Sequence, residues 1–130
     1  YETVLDTYRK VVGALKPGAV FKDYQGMTCD LYEAQGHATL RTNPRAQSGY
    51  VHGLGHGVGL HVHEKPSSST LETNTDRLEP GVVFTIEPGL YYPERGMGVR
   101  LGNTLHLRQD GKFEVLAPYP LDLVLPMRAR

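Results

Sequence analysis

Four histidines fall within residues 52–63, in the run His52-Gly53-Leu54-Gly55-His56-Gly57-Val58-Gly59-Leu60-His61-Val62-His63-Glu64-Lys65-Pro66. Imidazole nitrogens are metal ligands, proton carriers and hydrogen-bond donors, so such a cluster is a candidate site. Two histidines four apart could share a helical face and hold zinc. Here the helix would contain glycine at 53, 55, 57 and 59, each costing about 1 kcal/mol relative to alanine, which excludes it. Read as extended chain, His52, Leu54, His56 and Val58 point one way, and His61 and His63 emerge on the other side unless a glycine-permitted bulge re-aims them. So much glycine weakens a strand and predicts that something approaches its backbone closely. The second informative residue is Glu87, at the end of the apolar run Val82-Val83-Phe84-Thr85-Ile86. A carboxylate there loses hydration and needs a base or a cation. Imidazole plus carboxylate suits zinc, manganese, iron or cobalt.

The elements that must position these groups read as follows. Val4, Leu5, Tyr8, Val11, Val12 and Leu15 recur at helical spacing, and Lys16-Pro17-Gly18 stops that helix. A second helix is predicted from about Phe21 to Ala34, with Tyr24, Met27, Thr28 and Leu31 on one side and Gly36 ending it. Residues 37–50 are polar and read as loop, and His37 and Arg41 are read as solvated loop residues. A turn-rich connection from Ser67 to Asn74 leads through Leu78-Glu79-Pro80-Gly81 into the strand ending at Glu87 and Pro88-Gly89. Tyr91 to Gly96 reads as a loop. Gly98 to Leu107 then reads as one strand, with Val99, Leu101, Leu105 and Leu107 on one face and Arg100, Gly102, Thr104 and His106 on the other. Asp110-Gly111 is a hairpin turn, and Phe113 to Leu116 the returning strand. The tail from Ala117 to Arg130 is expected to lie across the body.

The 130 residues are enough for one domain with a core. Lys plus Arg and Asp plus Glu are each 14, which gives no electrostatic case for nucleic acid or a membrane surface. The single Cys29 cannot form an internal disulfide, which fits a reducing, cytoplasmic setting. No apolar run approaches the ~20 residues of a membrane span.

The motif from His52 to Pro66, Val83-Phe84-Thr85-Ile86-Glu87-Pro88-Gly89-Leu90-Tyr91, and Gly98-Val99-Arg100-Leu101, in that order, resemble the pita-bread metallopeptidases. The glycine-spaced pair His52 and His56 and the arginine at 100 are most similar to the Xaa-Pro dipeptidase (prolidase) and aminopeptidase P branch. The likeness runs over nearly the whole chain. It implies an α+β fold: a curved antiparallel sheet flanked by helices, with residues 1–130 forming the C-terminal portion, about half, of the catalytic domain. It implies hydrolysis of an Xaa-Pro bond at a site of two divalent ions, manganese first and cobalt or zinc otherwise, held by two aspartates, one histidine and two glutamates. Through the resemblance His56 and Glu87 are metal ligands and Glu87 also handles protons. His63 contacts substrate and stabilises the tetrahedral intermediate, while His52 and Arg100 bind substrate. His61 is read as structural.

The chain departs from the family pattern twice. The two aspartates precede the first helix in the family and have no counterpart here, and Gly102 stands where the bridging glutamate belongs. Three readings follow: a fragment of a proline-specific peptidase, a non-catalytic relative that binds peptides or acts as a scaffold, and a member with one metal or an altered site. The expected partners are a proline-containing peptide, the missing N-terminal half or another chain, and a second copy as a homodimer.

Overall fold

The computed structural model describes residues 1–125. Helix α1 runs Glu2–Ala14 and α2 runs Phe21–Glu33. Both follow the apolar spacing, and α1 buries Val4, Tyr8 and Val11. Gly18 and Gly36, past the two helix ends, take the left-handed backbone that the stop signals require. Strands β1 (His56–Gly57), β2 (Glu64–Ser67), β3 (Val83–Ile86), β6 (Asn103–Leu107) and β7 (Phe113–Val115) form an antiparallel sheet in the order β2-β1-β3-β6-β7. Strands β4 (Gly89–Tyr92) and β5 (Met97–Arg100) make a separate hairpin.

The predicted strand from Gly98 to Leu107 is therefore two strands in two sheets. Leu101 and Gly102 carry the chain from one to the other. Tyr91 and Tyr92, read as loop, lie in β4, which also bridges back to Gly49. Their loop-like surroundings of proline and glycine hid a strand that is paired on both sides. The hairpin at Asp110-Gly111 forms as expected, with β6 and β7 paired Leu105↔Val115 through Leu107↔Phe113. The tail packs on the body as far as Leu121, whose carbonyl accepts the Tyr1 hydroxyl at 2.7 Å. Its last five residues lie outside the described ones.

Period-two alternation gives the sheet its two faces. Phe84 and Ile86 of β3, with Leu105 and Leu107 of β6, point toward the helices and meet Tyr8, Val11, Phe21 and Leu54. The Phe21 and Phe84 rings meet edge to face at 5.4 Å. A second cluster, Val4, Cys29, Tyr32, Tyr50 and Leu90, ties the hairpin to α1 and α2. Tyr50, in the segment read as polar loop, is fully buried there. The opposite face of the sheet, with Thr85 and Thr104, borders an open cleft of about 880 Å³.

Asp76 fixes the connection that leads out of β2. Its carboxylate accepts hydrogen bonds from Lys65 Nζ and the Ser67 amide, both at 2.9 Å, and its carbonyl accepts the Phe21 amide at 2.8 Å. The Lys65 ammonium first, and the Ser67 amide with it, hold the carboxyl below the usual aspartate range. A depressed carboxyl contributes stability above its unfolded pKa of about 4 and loses it as pH falls through the folded value. Asp76→Asn is expected to lower the melting temperature at pH 7 and to leave it unchanged near pH 2. An equal penalty at both pH values, read by thermal melts, would refute the assignment.

Candidate active site

The glycine run solves a spacing problem inside the protein. A Cβ at Gly55 would overlap the Thr85 carbonyl of β3, and one at Gly57 would overlap the Lys65 carbonyl of β2. The close approach foreseen for this backbone is thus made by neighbouring strands. Only His56 and Gly57 of the run pair as a strand, and the register shifts between them. That irregularity reorients the side chains. Leu54 enters the core rather than sharing a side with His56, whose ring turns toward the cleft. His63, expected on the opposite side from His56 unless a bulge intervened, has its ring centroid 4.3 Å from that of His56.

Thr85 and Glu87 alternate with the buried Phe84 and Ile86, so both face the cleft. Thr85 Oγ1 accepts the His56 amide at 3.1 Å and lies 3.4 Å from its carbonyl, bracketing that residue. His56 Nδ1 is 3.0 Å from the Gly57 carbonyl, which can only accept, so Nδ1 carries the proton. Nε2 then faces Glu87 Oε1 at 3.1 Å. With Nδ1 donating to the carbonyl, Nε2 and the carboxylate are left to share a proton or a cation. A histidine anchored through Nδ1–H to a carbonyl is a common arrangement for a metal ligand. Both side chains are only about a fifth exposed, 22% and 21%. Glu87 Oε2 lies 3.5 Å from Arg100 Nη1, so imidazole and guanidinium flank one carboxylate.

The structure gathers His56, His63, Glu87 and Arg100 around the one cleft. His52 sits apart from that lining, with Nδ1 on the Gly53 carbonyl at 2.8 Å and Nε2 at 3.0 Å from the Tyr91 hydroxyl. Burial raises the Tyr91 pKa, against the pull of nearby Arg100, so the hydroxyl stays protonated and donates to His52. His61 is exposed, its amide held by the Glu64 carboxylate at 3.1 Å. His37 contacts the Tyr92 hydroxyl at 2.5 Å and is partly buried, which lowers its pKa; the reading of it as a solvated residue is corrected. Thr85 and Tyr119, which line the cleft, and Tyr91, which holds His52, escape the sequence reading. Thr85 was within reach, being two residues before Glu87 on the same strand face. Tyr91 was hidden by the missed strand.

Two donors do not close a two-ion centre. Among the described residues no group of three or more His, Cys, Asp or Glu side chains comes together to hold a cation. Gly102 adds no ligand, and Asn103 turns its amide to the Tyr8 hydroxyl at 2.7 Å. A Cβ at Gly102 would nevertheless have Glu87 atoms as its nearest neighbours, at 3.4–3.7 Å, an ordinary contact. The residues present thus fit part of a metal centre and not a dinuclear one.

An imidazole and a carboxylate face a cleft from the strands of an antiparallel sheet with two helices behind it, an arrangement compatible with part of a metallopeptidase site. The chain belongs to metallopeptidase family M24, whose sequence profile matches residues 1–109. It is 35% identical over 111 residues to an Xaa-Pro dipeptidase of Pyrococcus furiosus, covering 85% of this chain and 28% of that one. The prolidase of Pyrococcus horikoshii superposes with a TM-score of 0.76 at 33% identity, covering 95% of this chain and 32% of that one. An X-Pro aminopeptidase of Thermotoga maritima gives 0.74 at 30% identity, over 93% and 31%. The architecture is accordingly part of the pita-bread fold. The chain spans less than a third of the length of the curated relatives it matches. Divalent-metal dependence goes with the family. No helix among the described residues is long and apolar enough to cross a membrane.

Proposed function

We propose that residues 1–130 are the C-terminal portion of a pita-bread catalytic domain that serves a metal-dependent hydrolysis of Xaa-Pro bonds in dipeptides or at peptide N-termini. The observation that supports this best is the His56 Nε2 to Glu87 Oε1 approach of 3.1 Å, with Nδ1 anchored on the Gly57 carbonyl. In the complete domain His56 and Glu87 would contribute ligands for divalent ions, manganese first and cobalt or zinc otherwise. Glu87, between His56 and Arg100, is suited to exchanging a proton at its carboxylate. His63 and Arg100, on the cleft wall, would donate hydrogen bonds to the peptide carbonyl and to a carboxylate. His52, held by Tyr91, would contact the substrate beside them. The remaining ligands would come from an N-terminal half or another chain, with a homodimer as a further assembly and the cytoplasm as the expected compartment.

A second reading has its own observation. Gly102 supplies no ligand, and Arg100 already neutralises one Glu87 oxygen, which favours a non-catalytic peptide-binding or scaffolding relative. The test is hydrolysis of Xaa-Pro dipeptides with added manganese, using the chain with its natural flanking sequence and its Gly102→Glu variant. Turnover by the parent supports the peptidase. Turnover by the variant alone, with peptide binding by both, supports the scaffold. If neither cleaves nor binds, both readings fall.

A further inference from the structure

Gln25 lies in the middle of α2, is 1% exposed, and belongs to no part of the site described above. Its Oε1 accepts two hydrogen bonds, from the Tyr50 hydroxyl at 2.9 Å and from the Leu54 amide at 2.5 Å. Among the described residues its Nε2 has only the soft sulfur of Cys29, at 3.9 Å. The oxygen therefore carries the interaction, and the orientation of the amide follows from having two donors in front of it.

Each donor leads to a different part of the site. The carbonyl of Leu54 accepts the Glu87 amide at 2.7 Å. The Leu54 residue is thus clamped on both sides, to α2 through its N–H and to the end of β3 through its C=O. That clamp sets where the chain stands two residues before His56, and where the Glu87 backbone ends. On the other branch, the Tyr50 ring packs edge to face on His52 at 5.4 Å, and His52 meets Tyr91. A single buried amide oxygen links the helix layer to both histidine positions.

We propose that Gln25 is a positioning residue, whose side-chain oxygen registers His52 against the His56 and Glu87 pair by holding Tyr50 and the Leu54 amide at once. The labels of the residues it positions rest on the functional reading above, whereas the geometry does not. The experiment accordingly reads ring tautomers and amide protection instead of turnover, so failure of the peptidase reading leaves it standing.

Gln25→Met keeps the length and fills the volume without an acceptor, and Gln25→Glu keeps the acceptor. In the chain with its natural flanking sequence, Gln25→Met is expected to lose at least tenfold in hydrogen-exchange protection at Leu54 and Glu87. It should also move the ring ¹⁵N shifts of His52 and His56 away from the Nδ1–H tautomer values of the parent. Gln25→Glu is expected to restore both, below the raised pKa of its buried carboxyl. A folded Gln25→Met chain with parental protection and ring shifts would overturn the proposal. Should Gln25→Met not fold, Tyr50→Phe decides, because it removes one oxygen and leaves the ring. Altered His52 shifts with Leu54 protection retained support the two-branch linkage, and unchanged His52 shifts overturn it.

Discussion

Gly102→Glu is expected to raise the affinity of this chain for manganese at least tenfold, about 1.4 kcal/mol at 25 °C. Gly102 is not among the glycines with left-handed backbone, so an L side chain enters without strain there. The new Cβ would rest 3.4 Å from Glu87 Cγ, which brings the two carboxylates into one pocket. Without a cation they repel, and one is forced to keep a proton or to take Arg100 from the other. With a divalent ion the same proximity becomes a chelate of one imidazole and two carboxylates, suited to manganese or zinc. The variant should melt below the parent without metal and recover with manganese, while the parent changes little. Calorimetric titration and melting curves with and without metal read both effects. Equal affinities in the two proteins would mean that the space beside Glu87 does not communicate with His56.

The helices and the hairpin at Asp110-Gly111 were legible in the sequence because each rests on a local rule, whereas the pairing of His56 with Glu87 was implied by the family resemblance. Apolar spacing, a glycine stop and a β-branched run need no knowledge of what lies across the sheet. The break at Leu101-Gly102 could not be read in this way. Val99, Leu101, Leu105 and Leu107 keep one alternation, with Asn103 the polar exception, although the chain changes sheets between the second and third of them. Alternation reports which side is buried, and both sheets bury the same side of the chain. Gln25 was invisible for a related reason. A glutamine within a helical pattern looks like an exposed position until Tyr50 and Leu54 fold back over it. His56, Glu87 and Arg100 were named through the family resemblance and meet at the cleft, whereas the parts that aim them required the tertiary structure.

The glycine run gives the other large effect. Gly55→Ala should destabilise the chain by about 3 kcal/mol or more, since the added methyl meets the Thr85 backbone and cannot be accommodated by a rotamer change. To relieve the overlap β1 must move off β3. That movement breaks the Gly57↔Phe84 pairing and the His56 amide bond to Thr85 Oγ1, and it opens the 3.1 Å gap between His56 and Glu87. Stability and the His56–Glu87 contact should therefore fail together, seen as a lower melting temperature and as His56 ring shifts no longer sensitive to Glu87→Gln. The matching control lies in α2, where a Cβ at Gly26 meets nothing within 4 Å. Gly26→Ala is expected to stabilise by about 1 kcal/mol through helix propensity alone and to leave His56 unchanged. Two glycine-to-alanine changes of opposite sign would show that Gly55, like Gly57 against β2, is there for strand contact. A Gly55→Ala chain that melts with the parent would show that β1 and β3 stand further apart than the His56 and Glu87 geometry requires.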